Sequence, residues 1–163
     1  MSFILRWPTV LVLLALVAWC LLGAGAPAAV LLNLPVDLPG ITPDRRAILA
    51  GVSWIEIGLW FGAGLFFFIA MVRLMRRTQA FWSWLLAFAL FGGHWGWAQQ
   101  SEGGLLATVQ SVEVESFTQP QALIASPDGT ESQVVILAII LVVGLLILVI
   151  DAADRSYWES QTA

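Results

Sequence analysis

The chain has 163 residues, 60% hydrophobic and 11% charged, with a formal net charge of −4 and a mean hydropathy of +0.88. A soluble domain of this length carries about a quarter charged residues, so these figures exclude a water-soluble fold, and residues 1–163 read as a single integral membrane domain. Seven basic residues without a basic face exclude a nucleic-acid partner, and the single cysteine, Cys20, excludes an internal disulfide.

Four predicted spans follow in chain order. Each is near the ~20 residues that cross a hydrocarbon core of about 30 Å. The first covers residues 8–32, with Pro8 suited to a first helical turn, where its missing N–H costs nothing. The opening M-S-F-I-L-R-W-P and the later A-G-A-P-A-A resemble a signal peptide. The apolar run from Val10 to Leu32 is long for a signal core and fits a retained span. Asn33 to Arg46 follows with three prolines and a glycine, an extended and turning connection. Thr42-Pro43-Asp44 then reads as a helix start, with Thr as N-cap and Asp near the positive helix end.

The second span covers residues 52–75 and the third 80–99, joined by R-L-M-R-R-T-Q as a tight helical hairpin. Short cytoplasmic loops collect Lys and Arg. Arg73, Arg76 and Arg77 therefore place this turn in the cytoplasm, and Arg6 agrees. Residues 101–133 carry five acids and no base, which fits the other side; both termini are then cytoplasmic and loops 33–51 and 101–133 periplasmic. Within loop three, V-E-V-E alternates with period two before T-Q-P-Q breaks it, the pattern of a small extended or β-hairpin flap. The fourth span, 134–150, is almost purely aliphatic and stops at Asp151. Tyr157 and Trp158 are placed to anchor the tail at the interface. The fold class is all-α, with four transmembrane helices.

Residues of the central hairpin lie level when their numbers sum to about 153, given a turn near Arg76 and Arg77. Gly58 then faces Gly96, and Gly62 faces Gly92. Small residues four apart let helix backbones approach closely, so these four glycines form the expected seam between spans two and three. Glu56 and His94, each two residues from a seam glycine, turn away from it by about 200°. An ionisable residue within a span is a functional candidate by default, but the shallow depth of Glu56 favours a structural bond; an ion-coupled or transport role is the alternative. His94 is the candidate ligand for a haem iron or chlorophyll magnesium, with Gly92, Gly93 and Gly96 leaving room and Trp95 and Trp97 as flanks. One histidine gives no bis-His ligation, and zinc needs three or four ligands. No cofactor is therefore expected, haem or chlorophyll at His94 remaining the alternative, and bound lipids are expected.

No nucleophile–base pair, phosphate-binding loop or metal motif is present in the sequence, so the chain reads as a non-enzyme. The aromatic stripe from Trp54 to Phe91 reads first as packing and interfacial anchoring, yet so many rings on a small protein require lipid or a neighbour. Other integral membrane subunits are the expected partners, and an accessory, stabilising or assembly role in a respiratory or photosynthetic complex is the expected function.

Asp37-Leu38-Pro39-Gly40 follows span one, Glu56 lies early in span two and Arg73-Leu74 at its end. Gly92-Gly93-His94-Trp95 with Gln99-Gln100-Ser101 closes span three. Together these motifs resemble those of a bacterial family known as "predicted small integral membrane protein", of unknown function. The family has Glu where this chain has His94, and loop 101–133 is longer and lacks its N-G-Q. The resemblance implies a four-span plan and no chemistry.

Overall fold

The computed structural model describes residues 2–33, 49–99 and 130–162, with side chains for 4–33, 49–96 and 134–156. Among the described residues four helices can be given bounds: α1 (Ser2–Leu31), α2 (Trp54–Met75), α3 (Phe81–Gln99) and α4 (Thr130–Thr162). Consecutive helices run antiparallel. Each packs on two neighbours, α1 on α2 and α4, α3 on α2 and α4, closing a ring around one apolar core. Phe67, Phe91, Leu13, Leu74, Ile140, Ile147 and Ile150 are its fully covered large side chains. Among the described residues no strand occurs. The Thr42-Pro43-Asp44 helix start and the expected hairpin in loop 101–133 lie outside the described residues.

Three helices, α1, α2 and α4, are long and apolar enough to cross a bilayer; α3 is not among them. This corrects the expectation of four spans of that kind. At 19 residues and ~1.5 Å per residue α3 reaches about 28 Å. Its tryptophans, glycines, Ser83 and His94 dilute its apolarity.

The helix ends also differ from the sequence reading. α1 starts at Ser2, so Pro8 lies inside the helix, as does Pro27. Membrane helices tolerate this because neighbouring groups satisfy the freed backbone. α4 begins at Thr130 and runs past Asp151 to Thr162: a charge ends the hydrocarbon segment, not the helical ladder.

The α2–α3 turn is a left-handed helix stop. Thr78 N–H donates to Arg73 O at 3.0 Å and Arg77 N–H to Leu74 O at 3.3 Å, the paired bonds of a Schellman end. Arg77 takes the position usual for glycine, with φ 57°.

Asp151 closes the start of α3 from the facing helix. One carboxylate oxygen accepts from Ala80 N–H at 3.0 Å and Phe81 N–H at 3.1 Å, where the positive helix end favours an anion. Beside it, Arg6 donates to Asp154 at 2.6 Å. These bonds set the beginning of α1, the arginine turn and the charged part of α4 at one end of the bundle.

Candidate functional site

The candidate residues lie at the opposite end, and α2 begins there. Ser53 is its N-cap, extended at φ −78° and ψ 153°, and its hydroxyl accepts from Glu56 N–H at 3.3 Å. Glu56 therefore occupies the third helical position. A carboxylate in this first turn meets the positive helix end, and Ser-x-x-Glu is the capping-box signature. The half-buried side chain of Glu56 makes no bond to His94 among the described residues. This local role was legible in S-W-I-E, a signal masked by the earlier Thr-Pro-Asp start.

His94 turns inward. It is 7% exposed, and its ring centroid lies 4.7 Å from that of Trp60, tilted by 53°. Trp60 also meets Phe91 edge-on, at 5.4 Å and 89°. On its other side Trp60 presses against α1 at Gly23, where a methyl group would come within 2.9 Å of the ring. Gly23, Trp60, Phe91 and His94 thus form a three-helix aromatic knot. Within it, Nδ1 of His94 is buried without a hydrogen-bond partner among the described residues, as is Nε1 of the adjacent Trp95.

Among the described residues the glycine seam does not form: a methyl added at Gly58, Gly92, Gly93 or Gly96 would meet nothing within 4 Å, and one added at Gly62 would lie 3.1 Å from Leu90 Cδ1 rather than against a glycine. Buried Trp60, Ala63, Phe67 and Ala70 of α2 face the interior instead, as do Trp84, Ala87 and Phe91 of α3. The physical reason is area: a large ring buries more surface than a glycine backbone contact. With the seam gone, so is the geometry that turned His94 outward.

The close approaches occur at glycines that sequence reading passed over. A methyl added at Gly64 would come within 3.0 Å of Cys20 Cβ, which places Cys20 in the α1–α2 core. Gly144 of α4 receives the ring of Trp84, a methyl there falling 2.1 Å from Cζ2. The indole N–H of Trp84 donates to Ile140 O at 3.1 Å. Phe88 stacks on Trp84 at 5.5 Å and Phe81 at 5.5 Å. The signal was a midspan glycine in an otherwise aliphatic helix.

Among the described residues no group of three His, Cys, Asp or Glu side chains comes together to hold a metal ion. The coarse class these features define is a helical membrane protein. Comparison with family models, with curated proteins and with solved structures finds no match. The motif resemblance to the small integral membrane proteins therefore stands on its quoted residues alone.

Proposed function

We propose that the chain is a non-catalytic accessory, stabilising or assembly subunit of a larger bacterial inner-membrane complex, of the respiratory or photosynthetic kind. The observation that carries this reading is the outer face of α2. Trp54, Phe61, Leu65, Phe68 and Met75 are all exposed there, with Gly58 open between them. Counting Gly58, the steps from Trp54 to Phe68 are four, three, four and three residues, with Met75 seven further on, the repeat by which one helix seats along another. Phe61 and Phe68 lie mid-helix, away from the interfacial depth where aromatic belts sit, and aromatics are enriched at protein interfaces. The outer face of α4 is by contrast aliphatic, with Ile139, Val142, Leu145 and Val149.

In this reading α3 makes a fourth crossing, supported by its place in the ring between α2 and α4. The arginine turn and both termini are cytoplasmic, supported by the bias of basic residues to that side. The test is purification from native membranes in mild detergent. A stoichiometric membrane partner is expected, lost in Phe61→Ala/Phe68→Ala and kept in Val142→Ala/Leu145→Ala. Migration of the parent chain alone, or equal loss in both variants, overturns the reading.

The unpartnered Nδ1 of His94 favours one second reading, a haem or chlorophyll held at that imidazole; the Trp60 ring over it weighs against. The expected absorption spectrum of the purified protein shows tryptophan bands only. A Soret or Q band that disappears in His94→Ala would establish the pigment site instead.

A further inference from the structure

At the arginine end a cleft of about 350 Å³ opens between the start of α3 and the end of α4. Its walls divide by depth. Trp82 and Leu148 supply apolar surface, both opening outward at 62% and 43% exposure. Gln79, Arg155 and Ser156 supply the rim. α4 rises toward this end, so Arg155 stands about 10 Å, two turns, above Leu148. This is the division of a phospholipid, polar above and hydrocarbon below.

The charges at the rim point to the sign of the headgroup. Asp151 also lines the cleft, but its bonded oxygen is held by the two backbone N–H groups that open α3. Asp154 is bonded to Arg6. Arg155 is exposed, attracts Asp151 at longer range, and makes no ion pair among the described residues. Arg73, whose guanidinium reaches Gln79 O at 3.5 Å, adds a second positive charge beside the rim. The hydroxyl of Ser156 donates to Ala153 O and is not a free donor.

We infer that this cleft binds one glycerophospholipid with an anionic headgroup, its phosphate against Arg155 and the Gln79 amide and an acyl chain along Trp82 and Leu148. Basic pockets between membrane helices are suited to such headgroups, and a basic residue near the surface contributes enough for about a fivefold preference. The same phosphate chemistry exists in free phosphate; the apolar lower half of the cleft selects the lipid.

The experiment is native mass spectrometry of the full chain released from nanodiscs with equal phosphatidylglycerol and phosphatidylcholine of matched chains. About fivefold enrichment of bound phosphatidylglycerol is expected. Arg155→Gln abolishes it, Arg155→Lys keeps part of it, and Arg76→Gln, the same charge loss on the exposed turn, leaves it unchanged. Equal retention of both lipids overturns the inference, and so does an equal effect of Arg76→Gln. Displacement of the lipid by millimolar inorganic phosphate marks a simple anion site and overturns it as well.

Discussion

Asp154→Ala is expected to destabilise the bundle by about 3 kcal/mol, and Arg6→Ala by clearly less. Each variant leaves one charge behind, and the two charges differ in burial. The side chain of Arg6 is 8% exposed and that of Asp154 18%. Removing one partner of a buried pair costs ~3–5 kcal/mol because the survivor stays desolvated. An orphaned Arg6 stays within the helix bundle, whereas an orphaned Asp154 turns toward water at the helix end. The surface rule of roughly 0–1 kcal/mol does not govern a pair with one covered member. Arg6→Met/Asp154→Leu is expected to regain most of the loss, since apolar replacement of a buried pair is often neutral. Heat denaturation in detergent micelles, followed by circular dichroism, measures all four proteins. Equal costs for the two single variants would show that the pair is solvated and the burial argument mistaken.

The second large effect belongs to Gly144→Ala. A methyl group at that position falls 2.1 Å from Trp84 Cζ2 and 2.4 Å from Cη2. A flexible side chain would swing away. The indole is held by its bond to Ile140 O and by Phe81 and Phe88 stacked on it. Overpacking costs ~1–3 kcal/mol, and the fixed ring places this case at about 3 kcal/mol. Trp84→Phe removes the overlapping atoms together with the N–H donor. It is destabilising alone, yet Gly144→Ala is expected to cost far less in its presence. The double-mutant cycle reads that coupling, expected at ~1–2 kcal/mol. Additive effects would mean that the ring and the glycine do not share one space.

What the sequence disclosed was depth. The Arg73–Gln79 turn fixes which residues of α2 and α3 lie level, and the contacts of Trp60 with His94 and of Gly62 with Leu90 fall where it places them. Helix identity was equally legible, because apolar runs of this length leave the backbone no alternative to helix. Rotation about each axis was not. An amphipathic helix in water declares its inner face by polarity, but here inner and outer faces are both apolar, Phe67 buried and Phe68 exposed. The choice then rests on shape. Trp60 fits the gap at Gly23 and Trp84 the gap at Gly144, pairs from helices far apart in sequence, which spacing within one helix does not reveal. The polar end was more accessible to reasoning. Arg6 and the Asp151–Asp154 segment were already assigned to one side, and an acid and a base at one level of a membrane protein are expected to pair.

The carboxylate that closes the start of α3 is supplied by α4. The hairpin of α2 and α3 is therefore not self-contained: the first amides of α3 emerge from the ribosome with their acceptor still 71 residues away in the chain. Until that residue is made, the one helix of these four that falls short of a bilayer span by length and apolarity holds its opening turn without this cap. Completion of α3 is thus tied to a residue synthesised 71 positions later, and a nascent protein halted before Asp151 carries its defect in a helix it had already finished.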